Sequence, residues 1–159
     1  MVSARLPKLT VDSLEKIQDS GELHGDEEKG EWIMGRKAIN AADASAIGPY
    51  SHAVESGDLI FLSGQTPIDS KTGKIVEGSF SDQTGQCFKN LFKVLEAAGL
   101  NPDCVEKVNV FLTDMDNFPA MNAVYSKQFN APYPARTTIG VASLPLGAQV
   151  EIEMIARRR

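Results

Sequence analysis

The sequence has no apolar run approaching the roughly 20 residues that a membrane-spanning helix needs. Cysteine is scarce: Cys87 and Cys104 stand apart, with no CxxC and no histidine at ligand spacing. This excludes a disulfide framework as the organising device and fits reduced thiols in an intracellular compartment. The two histidines, His24 and His52, lie far from any cluster of ligands, so neither a metal nor a cofactor is expected. Positive charge is also short, with 16 Lys and Arg against 21 Asp and Glu and a net charge of -5. A surface that tracks phosphates needs the opposite balance, so nucleic acid is not an expected partner. What is present suits one domain: 159 residues, 42% hydrophobic and 23% charged, enough for a substantial core.

The charge is unevenly placed. Residues 1–31 hold eight acidic and four basic residues, a net of -4, which leaves -1 for the remaining 128. A leader this acidic, without an arginine-rich or apolar stretch, does not read as a mitochondrial or secretory signal, and a cytoplasmic location is expected. Residues 1–36 are therefore read as an acidic N-terminal extension. Within it "TVDSLEKIQDSG" suits a short helix capped by Thr10, and "HGDEEKG" suits a loop.

Residues 37–159 are read as one α+β domain. "RKAIN" is a first strand, and "SHAVESGDLIFLSGQ" is a hairpin turning at Gly57-Asp58. "DSKTGKIV" adds a turn at Gly73. Cys87, Leu91, Val94, Leu95 and Ala98 recur at helical spacing before a stop at Gly99 and Pro102. "VEKVNVFLTD" is a strand, "NFPAMNAVYSKQF" a helix with Pro119 in its first turn, and "ARTTIGV" and "AQVEIEMIA" are closing strands. This order predicts a two-layer domain, a mixed sheet with two helices on one face. If the other face is apolar, it should bury itself against neighbouring subunits.

Arg136 begins one of the closing strands, where an arginine seldom sits unpaired. Alternation places Arg136, Thr138 and Gly140 on one face and Thr137, Ile139 and Val141 on the other. The apolar set is expected in the core, leaving Arg136 on a small polar face. Should the two closing strands be neighbours, Arg136 and Glu151 or Glu153 can approach one cavity. A structural Arg–Glu pair in an interface and a carboxylate-binding arginine beside a water-holding carboxylate both fit that pattern.

"AIGPYSHAV", "LIFLSGQTPID", "NLFKVLEAAG", "VNVFLTDMDNFPAMNAVY", "YPARTTIGVASLP" and "VEIEMIA" follow one another in an order and spacing that resembles the reactive intermediate deaminase family. That family is also called Rid, YjgF or endoribonuclease L-PSP, and the likeness is strongest to its RidA branch. It runs from about Lys37 to Arg157 and covers none of the N-terminal extension. The resemblance implies a chorismate-mutase (AroH)-like homotrimer with a site at each subunit interface. It implies hydrolysis of reactive 2-imino and enamine acids, 2-iminobutanoate and 2-iminopropanoate, to 2-keto acids and ammonia, a metabolite damage-control role.

Carried over residue by residue, the resemblance gives Arg136, Glu151, Tyr50 and Ser63 as catalytic, and Arg136, Asn122, Gly64 and Thr138 as substrate-binding. A planar guanidinium suits a carboxylate, a glutamate can exchange a proton with water, and a glycine admits close approach. Plainer roles stay open: Tyr50 anchoring a turn, Asn122 linking helix to loop, Ser63 satisfying a strand end. Many RidA members carry a cysteine where this chain has Thr138. Three alternatives stand beside the hydrolase: a non-catalytic trimer binding a small 2-keto or amino acid, a translation-inhibiting ribonuclease, and a chaperone working through an exposed apolar face.

Overall fold

The computed structural model describes residues 36–41 and 48–159. The helix expected at Thr10 and the acidic loop after it lie outside the described residues. So do positions 42–47 of the loop before Tyr50. Residues 37–159 form one compact unit.

The described residues form eight strands: β1 (Lys37–Ile39), β2 (Ala53–Ser56), β3 (Leu59–Gln65), β4 (Ile68–Asp69), β5 (Lys74–Ile75), β6 (Val105–Leu112), β7 (Ala135–Gly140) and β8 (Val150–Arg157). Among the described residues two helices join them, α1 (Phe80–Ala97) and α2 (Phe118–Tyr125). Six strands make one sheet in the order β1-β2-β3-β8-β6-β7, and β4 and β5 form a separate hairpin. Every pairing in the large sheet is antiparallel except β6 with β7. The sheet is therefore mixed, as the element order implied.

Local sequence explains these elements. Gly57 takes φ 59° in the two-residue turn between β2 and β3, a conformation open to glycine at little steric cost. Ser79 caps α1 and Asp82 returns the bond to the Ser79 backbone, a reciprocal capping box. Gly99 at φ 71° follows the C-terminal cap of α1. A short 3-10 turn, Met115–Asn117, precedes α2, which ends at Tyr125 and is shorter at its C-terminal end than its sequence suggests.

The helices cover one face of the sheet. α1 packs on β8 and β3, and α2 packs against α1. Phe88, Leu91, Val94 and Leu95 of α1 meet Ile60, Val108, Val110, Ile152 and Met154 of the sheet, all almost fully buried. Each such side chain contributes about 1.5–3 kcal/mol relative to an exposed one. Cys87 belongs to this core, where burial pushes its thiol well above the usual range. It serves as a small apolar residue.

The strand carrying Arg136 is turned over relative to expectation. Arg136 pairs with Val108, which pairs with Met154, and cross-strand partners share a face. Arg136, Thr138 and Gly140 therefore point toward the helix layer. Ile139 lies on the open face and is 46% exposed. The reason is position: β7 is an edge strand that runs beyond the cover of α1, so its helix-side residues need not be apolar. Leu59 and Phe61 are exposed on that same open face. The two closing strands are not neighbours either, because β6 lies between them.

Candidate functional site

The expected site residues fall into two groups within one chain. The first is built around β7 and α2. Phe118, Met121 and Tyr125 recur at helical spacing and present one face of α2 to the sheet. The Arg136 guanidinium carbon sits 4.5 Å from the Tyr125 ring centre and 5.7 Å from that of Phe118. One of its terminal nitrogens lies 4.0 Å from the Met121 sulfur. Among the described residues, no carboxylate lies within ion-pairing distance of Arg136. The charge is thus held by aromatic faces and left available to an outside anion.

Two more residues complete this group. Thr138 is two positions along β7 on the same face, and its hydroxyl is buried without a hydrogen-bond partner. Asn122 follows Met121 on α2 and is half-buried. Tyr125 itself is 5% exposed and packs on Phe88 and Phe129, at ring distances of 5.9 and 5.1 Å. Burial raises its phenol above the ordinary value, and the Arg136 charge pulls it back in part.

The second group lies where β3 meets β8. The register between these strands slips between Leu62 and Gln65, leaving Ser63 and Gly64 in a bulge. Glu151 of β8 lies over the bulge: a Cβ on Gly64 would run into its carboxylate, with Cδ at 3.0 Å. Gly64 therefore makes room for Glu151. Burial, and then the nearby charge of Glu153, raises Glu151 above the usual carboxylate range. Glu153 accepts a hydrogen bond from the Asn109 side chain at 2.8 Å.

Tyr50 and Gly64 share a small cleft of about 20 Å³ with Gln65, Thr66, Ile68, Ser70 and Asn90. The Ser63 hydroxyl donates to the Ser51 carbonyl at 2.7 Å, so it secures the β3 end and keeps only acceptor capacity for a guest. Asn90 Nδ2 donates to the carbonyls of Thr66 and Ile68, fixing the cleft wall.

The two groups do not meet in one chain. Arg136 points to the helix side and Glu151 to the open side, on strands with β6 between them. Two strand spacings alone separate them by about 10 Å. Within one chain the closing strands therefore do not bring the two side chains together, as neighbouring strands would have. Sequence reading also passed over Phe118 and Tyr125, although their seven-residue spacing on an amphipathic helix was a usable signal.

Residues 40–158 match the sequence profile of the family described as Endoribonuclease L-PSP. The chain belongs to this family, the Rid family. Rid relatives include a RutC family protein of Pyrococcus horikoshii, 48% identical over 69% of this chain and 87% of its own length. Another, from Dermatophagoides farinae, is named 2-iminobutanoate/2-iminopropanoate deaminase; it is 46% identical over 69% of this chain and 85% of its own. Among solved structures, RidA from an Antarctic Psychrobacter has a TM-score of 0.74 at 41% identity, over 77% of this chain and all of that one. Escherichia coli TdcF with bound serine has a TM-score of 0.73 at 38% identity, over 77% and 99%. The Rid fold, two helices on a mixed sheet, is the fold described above.

Proposed function

We propose that this Rid chain hydrolyses 2-imino acids, 2-iminobutanoate and 2-iminopropanoate among them, to 2-keto acids and ammonia. The observation that carries the reading is Arg136, a guanidinium stacked on aromatic rings with no acid beside it among the described residues. Support comes also from the deaminase name of the Dermatophagoides relative.

In this reading two hydrogen bonds from Arg136 hold the substrate carboxylate. Asn122 and the Thr138 hydroxyl contact the same anion or its side chain. Water attacks the iminium carbon, a C–O bond forms, and the C=N π pair moves to nitrogen. The water's proton passes to Glu151, whose raised affinity for a proton suits it to accept and return one. The proton then goes to the amino nitrogen, the C–N bond breaks, and the remaining hydroxyl becomes the keto oxygen as it loses its proton. Tyr50 and Ser63 line the path of the departing ammonia. Orientation supplies most of the acceleration, because an iminium carbon is already electrophilic.

Arg136 and Glu151 are too far apart in one chain to act on one molecule, so the reading includes a homotrimer in which each site takes them from different copies. The exposed Leu59, Phe61 and Ile139 supply an apolar face for that contact.

The test generates 2-iminobutanoate from threonine with a dehydratase and follows keto-acid release. Wild type should accelerate release, and Arg136→Ala should abolish the acceleration. The serine bound in the TdcF structure favours a second reading, a non-catalytic binder of small amino or keto acids. Retained ligand binding without any acceleration by wild type would select it.

A further inference from the structure

We propose that Tyr125, assisted by Phe118, is a positioning residue for Arg136: its ring face fixes the guanidinium plane so that the charge meets a small carboxylate ligand edge-on. This deepens the reading above and rests on it for the identity of the ligand.

An arginine that must bind a carboxylate with both nitrogens needs a fixed plane, and a fixed plane needs support that does not compete for its donors. A carboxylate partner would supply support but would occupy the fork. Aromatic faces supply it through the ring quadrupole and leave the N–H groups free. Here the guanidinium carbon lies 4.5 Å from the Tyr125 ring centre, with the Phe118 ring at 5.7 Å. Tyr125 is anchored in turn by Phe88 and Phe129, so the platform is rigid.

The phenol oxygen takes no part in this support. It is buried and has no hydrogen-bond partner among the described residues. Burial also keeps it protonated, which prevents a phenolate from pairing with Arg136 and filling the fork. The ring, and not the hydroxyl, is therefore the functional part of Tyr125.

The experiment compares the full chain with Tyr125→Phe, Tyr125→Leu and Phe118→Leu. Two readouts are taken: the Arg136 side-chain N–H signals by NMR, assigned with Arg136→Lys, and affinity for 2-oxobutanoate by calorimetry. Ring-current-shifted Arg136 signals should appear in wild type and Tyr125→Phe and move toward free-arginine positions in Tyr125→Leu. Affinity should stay within about twofold for Tyr125→Phe and fall about tenfold for Tyr125→Leu. Where Tyr125→Leu does not fold, the more peripheral Phe118→Leu carries the test, with a smaller loss and a partial shift. A folded Tyr125→Leu or Phe118→Leu with unshifted Arg136 signals and wild-type affinity overturns the proposal. Equal losses in Tyr125→Phe and Tyr125→Leu overturn it too, since the hydroxyl would then be what matters. If wild type binds no 2-oxobutanoate yet shows the shift lost only with the ring, the positioning stands and the imino-acid reading falls.

Discussion

Glu151 lies over Gly64 so closely that the glycine has no space for a side chain: the Glu151 Cγ would be 3.2 Å from a Cβ there. The strand bulge and the carboxylate are thus one device. Strain would come from the contact and not from the backbone, since Gly64 lies outside the left-handed region.

Gly64→Ala should therefore displace Glu151. We expect keto-acid release to fall at least about tenfold, with a stability cost of about 1–3 kcal/mol from overpacking. Glu151→Ala in the same chain should recover most of the stability and none of the activity. Chemical denaturation and the dehydratase-coupled assay read the two effects, and a fully active Gly64→Ala would sink the assignment of Glu151.

The separation of Arg136 from Glu151 makes a sharper prediction. Arg136→Ala and Glu151→Ala should each be inactive alone. In the proposed homotrimer, equal amounts unfolded and refolded together should regain about a quarter of wild-type activity, because each mixed trimer would have one intact site. No recovery from a well-mixed sample would mean that the two residues do not serve one site.

The pH dependence of stability follows from Glu151. Its acid form is favoured in the fold by burial and then by Glu153. A raised carboxylate contributes stability that is full below its unfolded value and is lost as pH rises through its folded value. Glu151→Gln should therefore raise Tm relative to wild type at about pH 8 and leave it nearly unchanged at about pH 4. The same variant should lose activity, since an amide cannot accept the proton. A Tm gap that widens toward acid would contradict the sign.

Thr138 separates two uses of a hydroxyl. Its oxygen is buried without a partner, which costs about 1–3 kcal/mol if nothing satisfies it. Thr138→Val should leave the free protein as stable as wild type or more so, by up to about 1 kcal/mol. It should also weaken 2-oxobutanoate binding severalfold, because the ligand then loses a hydrogen bond. Melting curves and calorimetry on the same sample check both; unchanged affinity would remove Thr138 from the site.

Strands and helices were legible because each follows local rules. Gly57-Asp58 announces a hairpin, and Cys87 through Leu95 announce a buried helical face. The orientation of β7 was not, because alternation tells which residues share a face and not which face is covered. Ile139 looks like a core residue in sequence, yet edge placement beside β6 puts it on the open side. Arg136 and Glu151 were found as types, but their separation depends on β6 lying between β7 and β8, pairings with long sequence separation. Tyr125 was missed because a tyrosine on an apolar helix face is first of all a packing residue, and here it is one.

The offset in β3 also limits how this strand can change length. Ile60 and Leu62 face inward before it, and Gln65 faces inward after it, opposite Ile152. Removing one residue at the offset would straighten the ladder and still leave Leu62 and Gln65 facing inward, then two steps apart. Loss of a single codon there removes the bulge beneath Glu151 but keeps the facing of the strand, whereas a single loss between Leu59 and Leu62 reverses it.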